Sequence, residues 1–585
     1  MRLRNLLLII LLFSSIVNAQ EVQPSWQSLN QRPYPQWFSD AKLGIFIHWG
    51  LYSVPAFASK EGYAEWFYRG LMVGDTNRRR IMSLYADTSM SPLEQYRTLT
   101  THWHAELWQP SQWARLFKQA GARYVMLVTK HHDGYSLWDD PYQPQWNSVV
   151  CGPRCNIVAQ LTDAVRAEGL RMGFYYSLPE WTNPRHIWMH DPDSAISDYV
   201  DNYMVPQFKN LVSKYKPDAI FADGDWLNTA TQFRSTELIA WYYNLVGSDA
   251  IVNDRWGNGT QHGFITPEYS AGITITDRPW AECRGLGRSF GLNRNEDINN
   301  YLSDGELIQH FCELVAHGGG LTLNVGPYAD GTIPLIQQER LLALGHWLSV
   351  NGEAIYGSRA HCTPCQQELC SASLPPTTYI DYNWVRNAPL KGMPVDNYEI
   401  HWEGVTGPTP PQAGDYIIQI EGDDEVWLSW GEDSLYYNHA WADNNNTATV
   451  HLDGNSVLDL HVRYREKDLE STVRISWSYD GGKTFSPIYA DWHGTATWKR
   501  TIRCFTQNGD NLYIIEFEQP GYTLSIPNMP KLRNNTEIQL LGTTGVVKWK
   551  QAKDGTLILD LSNIDNKEMS TLYHAWVFRI PAVIR

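Results

Sequence analysis

Two carboxylates in this chain stand where a sugar carbon could be attacked and released. Asp223 ends the apolar run Ala219-Ile220-Phe221-Ala222 and is followed by Gly224, Asp225 and Trp226. Glu268 stands between Pro267 and Tyr269, after Gly263-Phe264-Ile265-Thr266. Breaking a glycosidic bond with retention takes two carboxyl groups about 5–5.5 Å apart. One attacks the anomeric carbon; the other protonates the leaving oxygen and then activates water. Pro267 and Tyr269 give Glu268 a partly apolar setting that favours its acid form, and Arg255 is a candidate to keep Asp223 ionised. An isolated Asp-Gly pair is usually a solvated turn. Repetition along the chain overturns that reading.

The same construction, a short apolar run ending in polar or aromatic residues, recurs through the first 330 or so residues. Leu43 to Ile47 leads into His48-Trp49-Gly50, Tyr124 to Val128 into Lys130-His131-His132-Asp133-Gly134, and Met172 to Phe174 into Tyr175-Tyr176-Ser177. Ala250 to Val252 leads into Asn253-Asp254-Arg255-Trp256, and Leu321 to Val325 into Gly326-Pro327. Amphipathic helical patterns lie between them at 111–120, 157–168, 205–215 and 305–317. Strands alternating with helices predict a parallel sheet with right-handed crossovers, and seven or eight such units predict a (β/α)8-like, TIM-type barrel. Its loops gather the residues at the carboxyl ends of the strands on one rim, so His, Tyr, Arg, Asp and Glu from six strands converge there.

The chain has 585 residues, too many for one core, so further domains are expected. A net charge of -16 argues against a nucleic-acid backbone as partner. Residues 1–19 read as a secretory signal: Arg2 and Arg4, an apolar core from Leu6 to Ile16, and the small-residue site Val17-Asn18-Ala19. That run is short for a membrane anchor, so the expectation is an exported chain, secreted, periplasmic or lysosomal, with no anchor after cleavage. Eight cysteines fit an oxidising compartment: Cys151 and Cys155 could close a small disulfide loop, and Cys362, Cys365 and Cys370 crowd a domain junction. His131 and His132 are adjacent, so on a strand they face opposite ways and make a poor metal pair. No metal in the catalytic site and no cofactor are expected.

At these residues the sequence closely resembles the α-L-fucosidases of glycoside hydrolase family 29. The likeness runs from about Trp37 to Arg359, through the stretches above and on to Arg284-Gly285-Leu286-Gly287-Arg288-Ser289-Phe290-Gly291 and Asn351 to Gly357. It implies a retaining exo-hydrolase that removes terminal α-linked L-fucose, with Asp223 as nucleophile. It further implies that His48, Glu65, Trp66, His131, His132, Tyr176 and Arg255 hold the sugar, and that Trp226 and Phe290 wall the pocket. Neighbouring strand residues face opposite ways, so Tyr175 is the alternative to Tyr176. For the acid, one branch of the family points to Glu268. Another has a Glu directly after a Trp; here Ala281 follows Trp280, leaving Glu282 as runner-up.

The resemblance and the strand patterns divide the chain into the signal at 1–19, the barrel at 20–360, an inserted module at 361–495 and a C-terminal β-sandwich at 496–585. The insert, with Tyr398 to Gly404, Gly422 to Leu428 and Arg474 to Trp477, resembles a PA14-type β-sandwich. Some such modules hold calcium on an Asp-Asp pair, which Asp423 and Asp424 would match; a structural turn is the plainer reading. The leading expectation is an enzyme acting on fucosylated oligosaccharides or polysaccharides. The alternatives are a catalytically silent fucose-binding lectin, or an α-L-galactosidase on the same scaffold.

Overall fold

In the first barrel strand, β1 (Leu43–Ile47), Leu43, Ile45 and Ile47 pack outward against helices while Phe46 points into the barrel. This period of two recurs in β2 (Tyr124–Lys130), β3 (Arg171–Ser177), β4 (Ala219–Asp223), β5 (Ile251–Val252), β6 (Ala281–Gly285) and β7 (Gly320–Val325). All seven strands are parallel, in the order β5-β4-β3-β2-β1-β7-β6. The computed structural model describes residues 21–60, 62–185, 193–269, 276–385, 387–406, 413–430, 433–439, 447–454, 457–467 and 471–581. The leader at 1–19 lies outside them.

The gap between β5 and β6 is closed by the chain around 264–268. Phe264 bridges Asn253 on one side; Ile265 and Glu268 bridge Trp280 and Cys283 on the other, all in parallel sense. Two residues explain why this eighth segment is not a regular strand. Gly263 has φ +104°, and a Cβ there would meet the Asn253 carbonyl oxygen at 2.0 Å. Pro267 has no N–H to donate to a ladder. The barrel therefore closes irregularly where it carries Glu268.

Inside the barrel, Phe46, Tyr124, Met126, Phe221, Phe264 and Cys283 form an aromatic-rich core. A Cβ on Gly44 would fall 2.2 Å from the Tyr124 ring, so the glycine makes room for that ring. Helices expected from sequence form at Pro110–Gln119, Ile157–Ala167, Val205–Tyr215 and Asp304–Ala316. Ile157, Val158, Leu161 and Val165 show the stripe that seats such a helix on the sheet. Asn156 caps its start by accepting the Ala159 N–H at 2.9 Å, and Ser303 with Glu306 forms a capping box on the last.

Behind β2 and β3 lies a buried polar network. Lys130 donates to Glu180 Oε1 at 2.6 Å and Gln207 Oε1 at 3.0 Å, and Gln207 Oε1 also accepts the Tyr176 hydroxyl at 2.6 Å. Tyr203, Asn183 and Gln143 also donate to Glu180, at 2.9, 3.1 and 3.3 Å.

Beyond the barrel, strands Tyr398–Thr406, Glu425–Trp430 and Asp459–Glu466 face a second sheet built on Gly414–Asp423 and Ser471–Ser478, around Ile400, Trp402, Ile418, Ile420 and Val462. One strand, Ala490–Asn508, begins in that core with Trp492 and Ala496 and ends in the C-terminal core with Phe505. The boundary expected at 495/496 thus falls inside a continuous strand. Cys504 on it is bonded to Cys365 of strand Arg359–Ser373 directly opposite. Cys151 and Cys155, expected as a candidate disulfide, are free thiols, as are Cys362 and Cys370. Among the described residues no helix is long and apolar enough to cross a membrane.

Lys130 and Glu180 have side chains 0 % exposed, so removing one partner strands a charge. Lys130→Met should lower the unfolding free energy by about 3–5 kcal/mol, read from denaturant midpoints, whereas Lys130→Met with Glu180→Gln should recover a large part of it.

Candidate active site

Asp223 is the last residue of β4, and three groups converge on it. The Tyr175 hydroxyl donates to Oδ2 at 2.8 Å, His132 Nε2 lies 3.5 Å from the same oxygen, and Arg255 Nη1 lies 3.3 Å from Oδ1. Burial alone would push this carboxyl up. The His132 contact, the Arg255 charge and the Tyr175 hydroxyl outweigh it and hold Asp223 well below the usual carboxylate range. His132 is itself oriented. Ser177 Oγ gives its proton to the Pro179 carbonyl at 2.6 Å, so at its 2.6 Å contact with His132 Nδ1 it accepts, and Nε2 is turned to Asp223.

Glu268 comes from the irregular eighth segment. Oε1 accepts the Tyr63 hydroxyl at 2.7 Å, and Oε2 lies 3.1 Å from Arg255 Nη1, the nitrogen that also faces Asp223. Arg255 is fixed from behind, donating to Thr266 Oγ1 at 3.1 Å and the Thr266 carbonyl at 2.8 Å. The partly apolar setting expected for Glu268 is not what surrounds it: a cation and a hydroxyl do, and the side chain is 29 % exposed.

Around this pair stand groups that can hold hydroxyls. His48 follows β1; its Nδ1 lies 2.6 Å from Asn324 Oδ1, and Asn324 gives its amide hydrogen to the Phe290 carbonyl at 2.6 Å. That fixes Asn324 as acceptor, so His48 carries its proton on Nδ1 and leaves Nε2 as an acceptor. Burial pushes His48 down to about 4 despite Asn324 and Asp223. His131 is also driven below the ordinary range, first by burial and then by His132 and His48, so both rings are neutral at physiological pH. Burial pushes Glu65 up to about 7, against the Gly291 N–H that it accepts at 2.7 Å.

An aromatic wall encloses one side. Trp66 lies 5.0 Å from Trp181 and 5.5 Å from Trp226 between ring centroids, and His132 packs 4.9 Å from Trp181. Phe290 lies 4.9 Å from the His48 ring and 5.5 Å from Tyr63.

The structure brings together Asp223, Glu268, His48, Glu65, Trp66, His131, His132, Trp226, Arg255 and Phe290. It does not bring Tyr176, whose hydroxyl is bound to Gln207 behind the sheet; Tyr175 faces the site instead. Glu282, the runner-up acid, is on the far face of β6, 0 % exposed and 2.9 Å from His310 Nε2, while its neighbour Cys283 faces inward. Asp424 Oδ2 accepts the Lys467 N–H at 2.6 Å, and among the described residues no group of three or more His, Cys, Asp or Glu is arranged to hold a metal ion. Sequence reasoning missed Tyr63, Ser177 and Trp181. Ser177 ended a quoted motif, but Tyr63 and Trp181 come from loops with no periodic signal.

The family model described as alpha-L-fucosidase matches residues 10–353, and that of the PA14 domain matches 373–491. An alpha-L-fucosidase of Dictyostelium discoideum is 38 % identical over 359 residues, 60 % of this chain and 77 % of that protein. The tissue alpha-L-fucosidase of Homo sapiens is 37 % identical over 60 % of this chain and 77 % of its own. The solved structure of Thermotoga maritima alpha-fucosidase with a mechanism-based inhibitor covers 96 % of this chain and 99 % of that one, at TM-score 0.64 and 27 % identity. The barrel, its two facing carboxylates and these likenesses agree: the chain belongs to the alpha-L-fucosidase family of glycoside hydrolases.

Proposed function

We propose that the chain releases terminal α-linked L-fucose from glycans by double displacement with retention. The observation that supports this most is the shared Arg255 nitrogen. Asp223 Oδ1 and Glu268 Oε2 contact Nη1 at 3.3 and 3.1 Å, so these oxygens are no farther apart than those two contacts laid end to end. Two carboxyl groups bridged by a single guanidinium nitrogen fit the close pair, about 5–5.5 Å apart, that a retaining mechanism uses.

In the first step an Asp223 oxygen bonds to the anomeric carbon as the bond to the leaving oxygen breaks, and Glu268 gives that oxygen its proton. In the second, Glu268 takes a proton from water, the water oxygen bonds to the anomeric carbon, and Asp223 leaves as carboxylate. Tyr175, donating to Asp223 Oδ2, aims the other oxygen. Neutral His48 and His131 and the carboxyl of Glu65 suit the ring hydroxyls, and the aromatic faces suit the C5 methyl. No metal enters either step as written.

Residues 1–19 are proposed as an export signal, supported by their basic start, apolar core and small-residue cleavage site. N-terminal sequencing of protein recovered outside the producing cell should begin at Gln20; an intact leader there overturns this.

Asp223→Gly should lower kcat/KM on 4-nitrophenyl α-L-fucoside at least about 10³-fold, and azide should restore turnover with inverted β-fucosyl azide as product. In the same assay Tyr175→Phe should cost about 10- to 100-fold, and Tyr176→Phe should act on thermal stability far more than on turnover. Equal kinetic losses at both tyrosines would refute the assignment of Tyr175.

Glu65 has a folded-state value of about 7, above its ordinary 4.5. Its contribution to stability is full below about 4.5 and is lost as pH rises through 7, because the folded chain then holds a proton that the unfolded chain has released. Glu65→Gln should flatten that part of the stability–pH curve in denaturant titrations; an unchanged slope would place the titration elsewhere.

A further inference from the structure

Three tryptophans run outward from the catalytic centre with rising exposure. Trp181 is 5 % exposed behind His132, Trp66 is half-buried beside it, and Trp226 is 42 % exposed at the outer end. Leu227, next in sequence, is 49 % exposed. Trp226 covers His132 with one edge, at 5.2 Å between ring centroids, and has much of its surface in solvent.

This exposed pair is held in place. Gly224 turns the chain immediately after Asp223 with φ +87°, and a Cβ there would meet Pro179 Cδ at 2.3 Å, so only glycine lets the loop double back. Asn258 then fastens it: its side-chain amide donates to the Trp226 carbonyl at 3.0 Å, its N–H to the Asn228 carbonyl at 2.9 Å, and its own carbonyl accepts the Ala230 N–H at 3.0 Å. A rigid apolar lip continuous with a catalytic pocket marks a binding surface. The occupant must be joined to the bond being cut, which makes it the unit on the leaving side. Its charge follows from the flank: Asp223 and Asp225, three residues and one residue before Trp226, set carboxylates at the base of the lip, which disfavours an anionic partner.

We propose that Trp226 and Leu227 form the subsite for the residue to which fucose is attached, and that it takes the C–H face of a neutral hexopyranose rather than a sulfated or carboxylated one. This rests on Asp223 and Glu268 being the catalytic pair. Trp226 then belongs to the leaving-group side more than to the fucose pocket, and the Gly224 turn links the nucleophile to the surface that aligns the bond it cleaves.

The test compares two substrates. α-L-Fucosyl fluoride has a leaving group too small to reach the lip; neutral fucosyl-hexose disaccharides, of which fucosyl-α-1,2-galactose is one, are long enough. In Trp226→Ala, kcat/KM on the disaccharide should fall about tenfold further than on the fluoride, with Trp226→Phe recovering most of the difference and Leu227→Ser showing a smaller loss of the same kind. A disaccharide sulfated on the hexose should be a poorer substrate than its neutral parent for the wild type. Equal losses on fluoride and disaccharide would put Trp226 in the fucose pocket and overturn the proposal. So would no loss on either, a preference for the sulfated substrate, or a wild type that cleaves the fluoride but no neutral disaccharide. A wild type inert to the fluoride would remove the catalytic reading itself, and the subsite with it.

Discussion

Arg255 sets the terms for everything around it. One guanidinium nitrogen faces both Asp223 and Glu268, and the rest of the group is tied to Thr266. In the proposed cycle the negative charge starts on Asp223, is consumed in the covalent bond, and reappears on Glu268 when that residue gives up its proton. A cation between the two compensates the charge in either place without moving, which is what a preorganised site needs. The cost of holding a guanidinium at this depth is met by having both partners present, so removing either leaves the other pairing altered.

That arrangement depends on an interruption in the barrel. Asp223 ends a regular strand, where a ladder fixes backbone direction. Glu268 and Thr266 sit on a segment that Pro267 keeps out of a full ladder and that Gly263 lets approach Asn253 closely. A regular eighth strand would send alternate side chains in and out with fixed spacing. Out of a full ladder, the Thr266 carbonyl joins its hydroxyl in accepting from Arg255, while Glu268, two residues on, faces the same way, as strand alternation already provides. The irregularity is thus part of how the pair is assembled.

The sequence made the barrel legible because its strands are apolar runs and its helices carry stripes; Val205–Tyr215 matches the expected bounds and Ile157–Ala167 does so within a residue. Asp223 and Glu268 were legible as strand-end carboxylates. β6 was not, because Ala281–Gly285 carries Glu282 and Arg284 and so lacks a strand's hydropathy; Glu282 is met by His310 of the next α-helix, Asp304–Ala316. Tyr176 was misplaced because Tyr175 and Tyr176 are chemically alike at the sequence level, and only the register of β3 decides which faces in. The strand Ala490–Asn508 hid a domain boundary, since alternation continues through it while the core it serves changes.

The misplaced tyrosine also shows why two opposite faces of one strand serve one site. Tyr175 donates to Asp223, while Tyr176 joins Lys130, Gln207 and Glu180 behind the sheet. Glu180 is anchored in that network, and the next residue, Trp181, donates its N–H to the His132 carbonyl at 2.7 Å and packs on the His132 ring. His132 is therefore held from three sides, by Ser177, by Trp181 and by the strand-end turn that carries it. A histidine confined in this way keeps Nε2 aimed at Asp223 without needing to be ordered when a ligand arrives, and that pre-arrangement lowers the entropy cost of binding and reaction. The buried ion pair and the site residues occupy opposite faces of one rigid element, and the barrel-facing side holds its geometry because the side behind the sheet is fully engaged.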